Sequence, residues 1–320
     1  MNTKLVFLRF SIPLLLVAMG LTGCDKKVES GGASKKPRIA LVMKSLANEF
    51  FDTMQRGAEA HQKAHASDYE LIANGIKDEQ DVSRQVQLVE QMIGQKVDAI
   101  VIAPADSQAL IGVCKRAMDA GIVVVNIDNK FNADLLAERK LAIPFVGPDN
   151  RKGARLAGEF LATKLQRGDK VALIEGLPGA INGIHRKAGF EEAMKTAGLN
   201  IAASQAGNWE ADKANKVVAA LLNDQPDLKG IICCNDSMAL GAVAALKAAG
   251  KAGQIPVVGF DGISAARQLV KEGKMLCTVE QFGDQLAVFG IEYALEMIRT
   301  NATPKDRETP VEAITADKLK

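Results

Sequence analysis

Short apolar runs alternate with longer amphipathic stretches from Arg38 almost to the end of the chain. Several runs are apolar at every position, which is typical of strands that helices cover on both faces. The stretch 236–249 instead carries Ala239, Ala242, Val243 and Leu246 at helical spacing. This alternation predicts β-α-β units with parallel sheets and right-handed crossovers. The main predicted strands are 39–43, 69–73, 99–103, 122–127, 171–174, 201–204, 231–234 and 257–260.

The alternation occurs in two halves, 38–143 and 150–279, which show no clear sequence repeat. The segment between them, PFVGP at 144–148, has the character of a crossing segment. A chain of 320 residues has room for two domains. The pattern therefore predicts an α/β protein with two parallel-sheet lobes.

The N-terminus has the layout of a secretory signal. Lys4 and Arg9 precede the apolar run 12–21, which is too short to span a bilayer. Cys24 directly follows Leu-Thr-Gly, a sequence that resembles the bacterial lipobox. That resemblance implies cleavage after residue 23 and a lipid on the Cys24 sulfur, so 1–23 is predicted as signal peptide. A plain signal peptide with an incidental cysteine is the alternative.

Residues 24–36 are predicted to form a lipidated, flexible linker, because 25–36 is polar and contains Gly, Ser and Lys without an apolar period. The mature protein would then stand in the periplasm or on the outer face of the cytoplasmic membrane, held only by its lipid. Asp25 resembles the signal that retains lipoproteins in the inner membrane of enteric bacteria.

Charge and cysteine usage exclude several classes of protein. Two of the 40 Lys and Arg residues lie in the first 23, so 38 basic residues remain against 38 acidic ones. This balance argues against a nucleic-acid partner. No cysteine has disulfide or metal spacing, so those outside the N-terminus are expected to be buried apolar residues. They are Cys114, Cys233, Cys234 and Cys277.

The sequence predicts neither a metal site nor a cofactor. His61 and His65 could share a metal on one helix, but no third ligand of suitable spacing follows. Phosphate loops, dinucleotide fingerprints and nucleophile elbows are missing from the sequence, so we predict that the protein is not an enzyme.

Polar and aromatic side chains follow the apolar runs in both halves. Ligands of open parallel sheets bind at the carboxyl ends of strands. Carboxylates accept hydrogen bonds from hydroxyls, Lys and Arg donate, amides do both, and aromatic faces cover the C–H faces of a sugar ring. We therefore expect one cleft for a neutral polyol. The candidate residues are Lys44, Asn48, Phe50, Phe51, Asp128, Arg186, Trp209, Asn235, Asp261 and Gln281.

Each candidate has an ordinary structural explanation when taken alone. The aromatic residues could belong to the core, and Asp128 and Asn235 could be helix N-caps. Arg186 could pair with Glu191 or Glu192, Lys44 could be a surface charge, and Asp261 could belong to a simple turn. These explanations leave open why all candidates gather at the same ends of the strands.

Four motifs resemble the ribose-binding branch of the periplasmic binding proteins. They are SLANEFF at 45–51, NDSMALGA at 235–242, VVGFDG at 257–262 and EQ at 280–281, within a match that covers 37–315. The resemblance implies a type I fold with two Rossmann-like lobes, a three-strand hinge, a monosaccharide in the cleft and delivery to an ABC permease. It predicts one lobe from 37–144 plus 282–306 and the other from 145–281 plus 307–320.

The resemblance also assigns roles to the candidates. It implies that Phe50 and Phe51 cover one face of the sugar and Trp209 the other, with the polar candidates around its edge. The chain departs from the ribose binders at Asn129, where they have Arg, and at Ala103, where they have Asn. Lys44 and the segments 125–128 and 208–209 resemble the D-allose binders more closely, which favours a hexose.

The sequence therefore predicts a monomeric, lipid-anchored solute-binding protein that captures a hexose such as D-allose, or a ribose-like sugar, and delivers it to an ABC importer. The alternative is a receptor for a sugar or quorum signal that serves chemotaxis or a sensor kinase.

Overall fold

Two six-stranded sheets form the framework of residues 35–320, the part of the chain that the computed structural model describes. The predicted signal peptide, Cys24 and most of the predicted linker lie outside the described residues. The strands are β1 (Arg38–Ser45), β2 (Glu70–Ile76), β3 (Ala99–Ile102), β4 (Val123–Ile127), β5 (Phe145–Pro148), β6 (Lys170–Glu175), β7 (Asn200–Ala206), β8 (Leu228–Cys233), β9 (Val257–Val258), β10 (Cys277–Glu280), β11 (Arg307–Thr309) and β12 (Glu312–Thr315).

Helices follow most of the strands, as the alternation of the sequence predicts. They are α1 (Glu49–Ala64), α2 (Val82–Gly94), α3 (Ile111–Asp119), α4 (Ala133–Glu138), α5 (Asn150–Ala162), α6 (Ile181–Ala197), α7 (Ala211–Asp224), α8 (Asp236–Ala248), α9 (Ser264–Lys271) and α10 (Gly283–Thr300). None of these helices within residues 35–320 is both long and apolar enough to cross a bilayer.

The first sheet has the strand order β11-β5-β4-β3-β1-β2 and the second has the order β12-β10-β9-β8-β6-β7. All pairs are parallel except β10 with β12. The predicted fold class, two α/β lobes built on parallel sheets, is confirmed.

Burial on both faces explains why the strands are continuously apolar. In β1, Ile39 and Leu41 pack in the cluster that contains α1 and α10, whereas Ala40 and Val42 pack in the cluster that contains α2 and α3. Successive side chains of a strand point to opposite faces, so covering both faces requires an apolar residue at every position. The four cysteines are buried and unpaired, as expected.

The chain passes between the two sheets three times. It leaves the first sheet after β5, returns after β10 to form α10 and β11, and crosses again before β12. These passes differ from the predicted boundaries at two places. Residues 145–148 and 307–309 were assigned to the second lobe, but both form strands of the first sheet. Each strand is short, with four and three residues, and so too brief to produce a distinctive apolar run.

The predicted strand 257–260 is regular only over Val257–Val258. Beyond it, the chain stays hydrogen-bonded to β10, with Gly259 donating to the carbonyl of Cys277 and Asp261 to that of Val279. Asp261 has a positive φ of 128°, which ends the extended conformation. The strand therefore gives way to a loop at the edge where ligands are expected.

Candidate functional site

Nine of the ten candidate residues line one small cavity between the two sheets, at the carboxyl ends of their strands. The tenth, Gln281, lies directly behind the wall, where its Nε2 donates to Asp261 Oδ1 at 2.7 Å. Glu79 and Asn182 also line the cavity, although sequence reasoning did not select them. The structure thus brings all the candidates together, and their contacts with a ligand stay a prediction.

Arg186 organises the second-lobe side of the cavity. Its side chain is only 3% exposed, and it donates to Asn150 Oδ1 at 2.8 Å, the carbonyl of Cys234 at 2.9 Å and Asp261 Oδ1 at 3.0 Å. Its Nη2 reaches Gln281 Oε1 at 3.4 Å. The guanidinium is therefore fixed, and its expected alternative pairing with Glu191 or Glu192 does not occur in the structure.

The carboxylate of Asp261 is held through one oxygen only. Oδ1 accepts from both Arg186 and Gln281, whereas Oδ2 has no hydrogen bond within the described residues. Burial raises the pKa of Asp261 well above its usual value, and the nearby Arg186 opposes that rise. Oδ2 is thus an acceptor without a donor in the cavity wall, which suits a ligand hydroxyl.

Lys44 plays the corresponding part in the first lobe. It is 2% exposed, so it is not a surface charge, and its Nζ lies 2.9 Å from Asp128 Oδ2 and 3.7 Å from Glu79 Oε2. Burial alone would lower the pKa of Lys44, but the charges of Asp128 and Glu79 outweigh it and the pKa is raised. Lys44 therefore stays an ammonium inside the cavity.

The aromatic candidates are both buried and part of the cavity wall. Phe50 and Phe51 meet edge to face with their centroids 5.2 Å apart, and Lys44 Nζ lies 5.7 Å from the Phe51 ring. Trp209 belongs to the opposite lobe and packs closely on Gly176, where an added Cβ would come within 2.0–2.3 Å of three indole atoms. The small residue at position 176 thus sets the position of the indole.

Asn48 and Asn235 are helix N-caps as well as cavity residues. Asn48 Oδ1 accepts from the amide of Phe50 at 3.1 Å, and Asn235 Oδ1 accepts from that of Met238 at 2.9 Å. In both residues the oxygen caps the helix, so the Nδ2 group remains available as a donor. Asn235 Nδ2 donates to the carbonyl of Trp209 at 3.3 Å, whereas Asn48 Nδ2 has no partner in the described residues. The structural and the ligand-binding interpretations are therefore compatible.

Eight non-glycine residues of the described chain have positive φ, and four of them lie in or beside this cavity. Asp128, Asn208, Trp209 and Asp261 all have positive φ, at 62°, 55°, 69° and 128°, although none is a glycine. Each such residue costs on the order of 1–3 kcal/mol and persists only where surrounding contacts impose it. Three of these four residues line the cavity, so part of its wall is built from unfavourable backbone conformations.

A metal site is not found among the described residues, where no three His, Cys, Asp or Glu side chains gather. His61 and His65 stack on each other with centroids 4.4 Å apart, and His61 Nδ1 lies 2.9 Å from the Tyr69 hydroxyl. His61 lies in the last turn of α1 and His65 is its C-cap, at the end of the helix away from the cavity.

Comparison with known families agrees with the geometry. Residues 39–302 match the model of the periplasmic binding protein domain. The chain belongs to the periplasmic binding protein family. A D-ribose/D-allose-binding protein of Pseudomonas aeruginosa is 55% identical over 310 residues, which are 94% of this chain and 97% of the relative.

Solved structures of other periplasmic binding proteins superpose closely. An ABC transporter solute-binding protein from Burkholderia multivorans is 53% identical, with a TM-score of 0.86 over 88% of this chain and 99% of that one. A second, from Actinobacillus succinogenes with bound D-allose, is 37% identical with a TM-score of 0.84 over the same shares. The type I periplasmic binding protein fold, expected from four short motifs, is confirmed.

Two acidic residues that matter in this periplasmic binding protein escaped sequence reasoning. Glu79 follows β2, which was expected to end at residue 73. The strand continues to Ile76, but Asn74 and Gly75 interrupt its apolar pattern. Asp236 is fully buried, where it accepts from the Thr278 hydroxyl at 2.7 Å and the Ile263 amide at 3.0 Å and so holds the loop after Asp261. A buried carboxylate inside a helix-start motif has no distinctive sequence signal.

Proposed function

We propose that this periplasmic binding protein captures a monosaccharide of the ribose and allose class between its lobes and delivers it to an ABC importer. The observation that carries the proposal is the cavity itself. Buried carboxylates, cations and amides from both lobes surround a small space beside three aromatic rings. Two relatives support the proposal: the P. aeruginosa relative is a D-ribose/D-allose-binding protein, and the A. succinogenes structure contains bound D-allose.

The cavity explains how a neutral sugar would be held. Asp261 Oδ2 accepts from a hydroxyl, while Lys44 and the unused N–H of Arg186 donate to hydroxyl oxygens. Phe51 and Trp209 cover the C–H faces of the ring. Because the charged groups are buried, a hydroxyl of the wrong configuration would leave one of them without a partner, which lowers affinity by orders of magnitude.

Isothermal titration calorimetry against D-allose, D-ribose, D-allulose, D-xylose, D-galactose and D-glucose tests the proposal. We expect saturable binding of D-allose or D-ribose that is at least tenfold tighter than binding of D-glucose. Asp261→Asn keeps the shape of the side chain but removes its charge, and we expect it to abolish detectable binding. Absence of binding to all six sugars by the wild-type protein would overturn the proposal.

We also propose that Cys24 carries a lipid that anchors the mature protein outside the cytoplasmic membrane. The support is the Leu-Thr-Gly-Cys sequence after a short apolar run. The segment 25–36, which is rich in charged and small residues, then leads to the folded domain at about residue 37. Metabolic labelling with a fatty acid tests this, because Cys24→Ser should lose the label and leave the membrane fraction. Size-exclusion chromatography of residues 25–320 tests the further expectation of a monomer.

A further inference from the structure

Glu79 is a buried carboxylate without a hydrogen bond. It is 7% exposed, yet neither of its oxygens has a hydrogen-bond donor within the described residues. The nearest cation is Lys44, with Nζ 3.7 Å from Oε2, beyond hydrogen-bonding distance. Its oxygens are not among the fully buried polar atoms without a partner, so water or a ligand hydroxyl can reach them and supply the missing donors.

The charges around Glu79 do not compensate it fully. Two cations line the cavity, and each is already committed at short range: Lys44 to Asp128 at 2.9 Å and Arg186 to Asp261 at 3.0 Å. Glu79 is thus the third carboxylate around two cations. In agreement, burial raises the pKa of Glu79 to about 7, and Lys44 only partly opposes this rise.

Glu79 also stands where the cavity meets the groove that leads out of it. The groove is lined by residues of both lobes, and it shares Asn48, Glu79 and Trp209 with the cavity. Glu79 therefore lies on the side of the cavity nearest the groove.

We propose that Glu79 is a specificity-determining residue that accepts a hydrogen bond from one hydroxyl of the bound sugar, at the end nearest the groove. The proposal rests on the proposed function, because it requires a sugar in this cavity. Glu79 selects by the penalty it imposes: a sugar without that hydroxyl leaves the carboxylate buried and unsatisfied. Hydrogen bonds to charged groups are the ones whose loss weakens binding most.

The test combines variants of the protein with variants of the sugar. Calorimetry measures the binding of D-allose and of each monodeoxy D-allose to the wild type and to Glu79→Gln; the D-ribose series replaces them if D-ribose binds more tightly. We expect Glu79→Gln to weaken the parent sugar by roughly 10- to 100-fold. One monodeoxy sugar should bind the wild type more weakly than the parent sugar by a similar factor. Its affinity for Glu79→Gln should be within about threefold of the parent sugar's affinity for the same variant, because the effects of removing two interacting partners are not additive.

Glu70→Gln is the matched control, because it makes the same substitution at the exposed start of β2, the end of that strand away from the cavity. It should change the affinity for the parent sugar less than twofold. If Glu79→Gln instead weakens the parent and all monodeoxy sugars by the same factor, Glu79 only supports Lys44 and the proposal is wrong. Wild-type binding of a sugar in the same titrations keeps that failure distinct from a failure of the proposed function.

Discussion

The start of helix α6 is capped by side chains of the opposite lobe. Ala180 occupies its N-cap position and offers no side-chain acceptor. The amide of Ile181 donates instead to Ser107 Oγ at 3.0 Å, and that of Asn182 donates to Asn129 Oδ1 at 3.1 Å. Helix amides that need external acceptors are thus satisfied only when the lobes are together. We predict that Ser107→Ala weakens sugar binding without altering any residue of the cavity wall.

The size of the effect follows from the energetics of helix caps. Removal of a capping side chain costs about 1 kcal/mol, within a range of roughly 0.5–2 kcal/mol. In an open conformation, water would satisfy the amide of Ile181, so the loss falls on the closed, sugar-bound state alone. Because about 1.4 kcal/mol corresponds to tenfold in an equilibrium constant, Kd should rise about fivefold.

Asn132→Ala is the matched control, since Asn132 caps α4 within its own lobe by accepting from the amide of Leu135 at 2.9 Å. Calorimetry with the tightest sugar of the panel and urea unfolding without sugar measure both variants. Asn132→Ala should lower the free energy of unfolding by about 1 kcal/mol and leave Kd unchanged. Wild-type affinity in Ser107→Ala, or an equal loss of affinity in Asn132→Ala, would refute the reasoning.

Two further predictions concern packing and pH. Gly176→Ala should displace the Trp209 indole and weaken sugar binding more than tenfold, as measured by calorimetry. Gly94→Ala, where the new methyl group meets open space, should bind sugar with wild-type affinity. Equal affinities of the two variants would show that the position of the indole is unimportant. Burial raises the pKa of Glu79 and of Asp236 to about 7, above that of a carboxyl group in the unfolded chain. Between these two pKa values the folded protein binds protons that the unfolded chain does not. The free energy of unfolding is therefore higher at low pH and falls as the pH rises through 7. Urea unfolding should therefore give a higher midpoint at pH 5.5 than at pH 8. The difference in the free energy of unfolding between these two pH values should be smaller by roughly 2 kcal/mol in Glu79→Gln, at about 1.4 kcal/mol per pKa unit. An unchanged difference in Glu79→Gln would contradict the raised pKa of Glu79.

The sequence predicted those parts of the fold and the cavity that depend on repeated local patterns. The apolar runs revealed the main strands, and the rule that ligands bind at their carboxyl ends selected side chains that lie together in the structure. The strand Phe145–Pro148 was missed because it is only four residues long, and Glu79 was missed because Asn74 and Gly75 interrupt the apolar run at the end of β2. The contact of Ser107 with the start of α6 joins residues 74 positions apart in different lobes, and no local pattern signals such a pair.

The distribution of charge explains how such a cavity can open without a large electrostatic cost. The ion pair of Lys44 with Asp128 lies wholly within the first lobe, and that of Arg186 with Asp261 wholly within the second. Separating the lobes therefore breaks neither of these buried pairs, whose disruption would cost several kcal/mol each. The contacts that join the lobes are of a weaker kind, such as the Ser107 cap and a hydrogen bond of 2.9 Å from Gln80 to Glu210.

Water can replace those weaker contacts at a net cost of about 0.5–1.5 kcal/mol each. A few such bonds offset part of the ordering cost of closure, and the sugar has to supply the remainder through hydroxyls that satisfy Asp261 Oδ2 and Glu79. The closed state is then favoured only when a ligand fills the acceptors that the protein leaves empty. Closure would thus depend on the same hydroxyls that distinguish one sugar from another.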